Sequence, residues 1–236
     1  MTINLMARTT TASARGTGPG TGLDTGRRRR LLTVPGVVGI GYSLSWIAGL
    51  AVPAPSPRFG APGAEVVAAL AGHGPAVATQ FALTEGLPAA GIAVISVALA
   101  RTARRSGATM AGRFALVSGL AAAIISAVQF GLGVALTVTS APGPAHLVYA
   151  SVDRLDGAKM LALAVLGAAA AAITALPRWL RYTGIALAVT ITCSGLVYLL
   201  LIASLAAAAG PALVLLLVFM TGCGIVTGMT AGPKDR

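Results

Sequence analysis

Glu85 is the residue in this 236-residue chain whose type and position most demand a chemical account. It lies about eight residues into a long apolar run, ~12 Å from the nearer end of a helix rising 1.5 Å per residue. A carboxylate at such depth is costly and faces a cavity or a partner. Gln80 and Thr84, four apart on the same helix, surround it with a polar wedge. Pro88 follows three residues later, removes one backbone hydrogen bond and is expected to kink the helix. Two chemistries fit. Glu85 accepts a proton or binds a cation inside a helical bundle, or it is a protonated acid hydrogen-bonded to a second helix and kept for packing. Gln129 and Lys159 are its candidate partners. Lys159 either snorkels outward into headgroups and water or reaches toward Glu85.

The segment from His146 to Lys159 is the most polar stretch between apolar runs. Asp153, Asp156 and Lys159 recur every three residues, with Leu147, Val148, Val152 and Leu155 between them. The spacing predicts an amphipathic helix lying on the outer membrane surface. His146, Asp153 and Asp156, joined by His73, are conceivable metal ligands, but neither an HExxH spacing nor a cysteine ligand accompanies them. No metal or cofactor is therefore expected. Cys193 and Cys223 read as small buried residues at helix contacts. Thr190, Thr192 and Ser194 either hydrogen-bond between helices or bond back to their own helix. Gly36, Gly41 and Ser45, like Gly224 and Gly228 and the run Gly167–Ala172, point to close helix approach. P-loop, nucleophile-elbow, paired catalytic carboxylate and zinc motifs are all missing from the sequence, so no catalytic residue is assigned.

The elements that must position these residues follow from composition. The chain is 56% hydrophobic and 10% charged, with a mean hydropathy of +0.85, against about 25% charged residues in an ordinary soluble domain. That excludes a water-soluble enzyme domain, a nucleic-acid-binding module and a disordered chain. The fold class expected is an all-α polytopic membrane bundle of six transmembrane helices, over roughly 32–52, 77–100, 114–138, 158–176, 183–206 and 211–231. Each run is close to the ~20 residues that cross a ~30 Å hydrocarbon core. The runs are continuous rather than alternating, which excludes a membrane β-barrel.

The cations provide an independent test of this partition. With the N-terminus inside, the inner segments hold 14 of the 17 Lys and Arg residues, leaving Arg58, Arg154 and Lys159 outside. That is the asymmetry of the positive-inside rule, and it places both termini on the cytoplasmic side of a cell membrane. The net charge of +11 thus becomes an orientation signal. Arg27, Arg28, Arg29, Arg30, Arg101, Arg104 and Arg105 are the candidate contacts to anionic headgroups, each contributing about 1 kcal/mol. Nucleic acid is not an expected partner; a second copy or another membrane protein is. Residues 1–30 read as a disordered basic tail, 31–232 as the transmembrane domain and 233–236 as a short cytoplasmic tail. Arg27–Arg30, the run after them and Val52-Pro53-Ala54 also resemble a secretory signal with a cleavage site, although about 21 residues is long for its apolar part. A retained helix is the expectation.

The turn Leu176-Pro-Arg-Trp-Leu-Arg-Tyr-Thr-Gly184 resembles one that recurs in actinobacterial-type families of multi-pass integral membrane proteins with no established activity. The resemblance implies a six- or seven-helix layout and brings no catalytic residues. Three functions remain: a structural, regulatory or partner-binding membrane protein, a small proton-coupled transporter or permease using Glu85, and a membrane-embedded enzyme.

Overall fold

The computed structural model describes residues 33–200 and 209–230. The basic tail with Arg27–Arg30, the end of the fifth expected span and the C-terminal tail lie outside the described residues. What is described is all-helical. Helix α1 is Val34–Leu50, α2 Gly63–Leu70, α3 Gly74–Phe81, α4 Leu87–Arg105, α5 Thr109–Leu136, α6 Pro142–Ala171, α7 Arg178–Leu199 and α8 Ala209–Thr230. A π-helical turn, Ala82–Gly86, joins α3 to α4 without a break.

Local sequence sets the ends. Proline occupies the first turn of α1, α3 and α6, where its missing N–H has no intrahelical partner to lose. The reversal between α4 and α5 passes through Gly107 at φ 80°, a left-handed conformation that a side chain disfavours. In the 176–184 turn, Pro177 caps α7 and the Arg181 guanidinium donates to Ala171 O at 2.7 Å, satisfying a carbonyl at the end of α6.

The long helices close into a ring: α1 packs on α4, α4 on α5, and so in chain order to α8, which returns to α1. Glycine allows the tightest contacts. A Cβ on Gly39 would lie 3.0 Å from Met220 O and 3.1 Å from the Gly224 Cα, so α1 and α8 touch backbone to backbone. On α6, a Cβ on Gly157 would lie 2.6 Å from Leu199 N and 2.7 Å from Gly195 O of α7. Gly36 lines the α1–α8 contact, where its nitrogen would meet a Cβ on Gly228. Gly41 does not: it faces open space, because it sits about 200° around the helix from Gly39 at ~3.6 residues per turn.

The interior is aliphatic, with Ile92, Ile95, Leu99, Leu166, Leu187 and Phe219 all sealed. The outside is apolar as well. Val37, Leu44 and Ile47 on α1, Val117 and Ile124 on α5, Ile185 and Val189 on α7, and Val214 on α8 are all exposed. A continuous apolar exterior of this kind would aggregate in water and is compatible with a lipid surround. Among the described residues four helices are long and apolar enough to cross a membrane: Gly74–Arg105, Thr109–Leu136, Arg178–Leu199 and Gly210–Thr230. Of the six expected spans, the first is a shorter apolar helix of 17 residues. The fourth merges with the expected surface helix: Pro142–Ala171 is one continuous helix carrying Asp153, Arg154, Asp156 and Lys159, and it ends before residue 176.

Segment 51–73 and α2 fold onto the first half of α6. Val66 and Ala61 pack on Leu136, Ala145 and Val152, and Tyr149 donates to Pro57 O at 2.8 Å. The Phe59 ring meets Tyr198 edge-on, with centroids 5.0 Å apart. The opposite end of the bundle carries Arg101, Arg104, Arg105, Arg113, Arg178 and Arg181 on the helix ends that flank its turns.

Candidate functional site

The site starts from an interrupted helix. In an α-helix the ring of Pro88 would crowd the carbonyl four residues back. Here the chain widens into the π turn, and Leu87 N–H bonds to Ala82 O five residues behind it. Leu83 O is left without a backbone donor, since Leu87 is taken and Pro88 has none. The Ser45 hydroxyl of α1 donates to it instead. Single π turns of this kind cluster at functional sites. The expected kink is therefore a wide turn, and Glu85 lies within it.

Glu85 points into the bundle and meets Lys159 of α6. The ammonium lies 2.7 Å from Oε1 and 2.8 Å from Oε2, and the two side chains are only 6% and 8% exposed. Lys159 also reaches Asp156 Oδ1 at 2.7 Å, three residues before it on the same helix face. The Ser126 hydroxyl of α5 contacts Glu85 Oε2 and lies 3.2 Å from the Glu85 carbonyl. Gln129, one turn further along α5, donates from Nε2 to Val152 O at 3.1 Å and to Asp156 Oδ1 at 3.4 Å. Its Oε1 is buried without a partner. Three helices thus converge on two carboxylates and one ammonium. Tyr42 of α1, 3% exposed, packs its ring over Gly91.

Glu85, Gln129 and Lys159 are brought together; Gln80 and Thr84 are not. Thr84 bonds back to Gln80 O at 2.9 Å and turns its methyl toward Gly49 of α1, while Gln80 is half-buried one turn away. The sequence reading missed Ser126 and the share of Asp156, although Asp156–Lys159 and Ser126–Gln129 each have the i,i+3 spacing of one helix face. Arg101, Arg104 and Arg105 lie at the far end of the bundle; Arg101 and Arg104 are exposed there, and Arg105 sits 3.5 Å from Thr230 O.

A cavity of about 190 Å³ adjoins the cluster. Asp156 and Lys159 form its polar wall; Trp46, Tyr198, Leu163 and Leu216 are among its apolar ones. Asp156 is the most open member of the cluster, its side chain 22% exposed.

The other candidates separate from this site. His146 Nδ1 lies 3.3 Å from Ala61 O and His73 Nδ1 2.9 Å from Ala71 O. Among the described residues no group of three or more His, Cys, Asp or Glu is placed to hold a metal ion. Cys223 is buried and Cys193 exposed, both as free thiols; Cys193 is thus no buried contact residue. Thr190 and Thr192 bond back to Ala186 O and Ala188 O of their own helix.

Asp153 lies nearer the α2 end of α6, outside the apolar part of that helix. Its Oδ2 is buried without a hydrogen-bond partner. Burial first, then the charge of Asp156, pushes its carboxyl up to about 6, against a lowering contribution from the Gly60 backbone. The folded chain therefore keeps this proton across the interval in which an unfolded chain, with a pKa near 3.9, releases it. Stability falls as pH rises from about 4 to about 6 and is level beyond. Asp153→Asn is expected to remove that fall and to raise the thermal midpoint above pH 6, read by thermal unfolding at several pH values. A steeper fall in the variant would contradict the assignment.

No family model matches the chain, and the curated proteins and the solved structures searched give no match either.

Proposed function

We propose that the chain is a six-span protein of a bacterial plasma membrane, with both termini cytoplasmic, that works as a small proton-coupled permease through the Glu85–Lys159–Asp156 cluster. The observation that carries this reading is two carboxylates sharing one buried ammonium. Fully ionised, the cluster bears one uncompensated negative charge, which a low-dielectric surround makes expensive. One proton neutralises it. The Gln129 amide, with one end on Asp156 and the other unpartnered, can serve either protonation state by rotating. Interrupted helices are a common way to build such sites in transporters.

The six-span layout is supported by the ring of six long helices. At ~1.5 Å per residue the 17 residues of α1 rise about 26 Å, enough for a ~30 Å core with slight thinning. Lys159 and Asp156 satisfy each other and Glu85 inside the bundle, which lowers the cost of carrying α6 across. Glu85 stands 16 residues before Arg101, or about 24 Å from the arginine end. The arginines at that end supply contacts to anionic headgroups, and a second copy is the natural partner of so small a permease. We assign no catalytic chemistry.

One observation favours a second reading: the Lys159 ammonium lies within 2.8 Å of three carboxylate oxygens, two of Glu85 and one of Asp156. A buried ion-pair network of this kind can simply lock three helices in register, as a structural or partner-binding protein would require. Reconstituted vesicles distinguish the two. The permease reading expects wild-type protein to dissipate an imposed pH gradient and Glu85→Gln to fall to the protein-free background. Equal flux from both proteins would overturn it; no flux from either, with Glu85→Gln as stable as wild type, would establish the lock.

A further inference from the structure

We infer that the cavity beside the cluster binds a small organic cation, an alkyl- or arylammonium with an apolar body; the inference rests on the cluster being a site that handles positive charge. The cavity's about 190 Å³ exceeds the ~150 Å³ that accommodates benzene, so it suits a molecule of roughly that size. Its wall is apolar along Leu163, Ile191 and Leu216 and aromatic at Trp46 and Tyr198. Aromatic faces attract desolvated ammonium groups.

Charge selects the sign of the occupant. Of the two charged residues in the wall, Lys159 is already paired with Glu85 and Asp156. Asp156 receives both of its described side-chain contacts, from Lys159 and Gln129, on Oδ1. Its Oδ2 is the acceptor left for a ligand, on a side chain 22% exposed beside the cavity. An anion would meet an ammonium already neutralised and a cluster with excess negative charge. A neutral apolar molecule would fit the walls and leave that charge uncompensated. A monovalent ammonium supplies what one proton supplies, so proton and organic cation compete for one deficit. That competition gives a permease exchange of one for the other.

Titration calorimetry on the full chain in lipid nanodiscs tests this, with benzylammonium as the probe and benzyl alcohol as its uncharged counterpart. Saturable benzylammonium binding is expected, at least about tenfold tighter than benzyl alcohol, which is one lost charge-assisted contact. It should weaken as pH falls. Asp156→Asn should remove the preference for the charged probe. Ala212→Leu, which fills the cavity from α8 and leaves every charge in place, should abolish binding of both. Equal affinity for the two probes, or a charged-probe preference that survives Asp156→Asn, would overturn the inference. So would benzylammonium binding unaffected by Ala212→Leu. Absence of binding alongside Glu85-dependent proton flux would sink the cation site and leave the permease standing.

Discussion

Lys159→Met is expected to cost about 3–5 kcal/mol of stability, because removing one partner strands charge in a buried cluster. Two carboxylates, one of them almost fully buried, would then share a space with Ser126 and Gln129 as the side-chain hydrogen-bond donors left to them among the described residues. One or both must take up a proton or pull the helices apart to reach water. The companion change identifies the cause. Glu85→Gln with Lys159→Met removes a charge of each sign from the 2.7 Å pair and leaves Asp156, the member nearest the cavity, as the remaining acid. That double variant should recover most of the loss, since replacing a buried pair is far milder than halving it. Thermal unfolding in one detergent, run on the two single variants and the double, measures the coupling. Additive losses would show that the pair does not tie the π turn to α6.

The second large effect is steric. Gly157→Val is expected to destabilise by about 1–3 kcal/mol, the usual cost of overpacking. Even the first added carbon lies 2.6 Å from Leu199 N and 2.7 Å from Gly195 O, and backbone cannot swing aside as a side chain can. Helix α7 must back away from α6 two residues before Lys159. The same movement would open the cavity wall at Tyr198 and Ile191. A loss of thermal stability together with a loss of ligand binding is therefore expected. Gly41→Val, which faces open space, is the control and should cost little. Comparable losses at both positions would mean that close α6–α7 contact is not what Gly157 provides.

How much of this was legible in the sequence depends on the physical range of each signal. Apolar runs and their prolines located the helices, because burial in lipid and the lost proline N–H act within a few residues. Glu85 could be singled out because one acid in a long apolar run needs no neighbour to be conspicuous. Its partner could not be chosen the same way. Lys159 sits at an apparent boundary, where snorkelling and pairing look identical along the chain, and only the way α4, α5 and α6 pack in turn brings it to Glu85 of the π turn. Asp156 looked like one rung of a surface helix, since nothing local says that Pro142–Ala171 runs unbroken into the bundle. Pro88 announced an irregularity, but the wide turn and the Ser45 bond to Leu83 O depend on α1 lying alongside. Ser126 is an ordinary serine in an Ala-rich helix until α5 is rotated to face Glu85. Among the glycines, helical phase decides: Gly36 and Gly39 share the α8 face and Gly41 does not.

The central claim is that the cluster holds an exchangeable proton. The most direct test is infrared titration of the protonated-carboxyl C=O stretch, on the full chain in lipid, from about pH 4 to pH 9, a range spanning ordinary and perturbed carboxylates. Wild-type protein and Asp153→Asn should both show a titrating carboxyl band from the cluster, with Asp153→Asn lacking only the component that titrates near pH 6. Glu85→Gln or Asp156→Asn should remove the cluster's band. A cluster band that never titrates, or one that persists unchanged in both of those variants, would contradict the account.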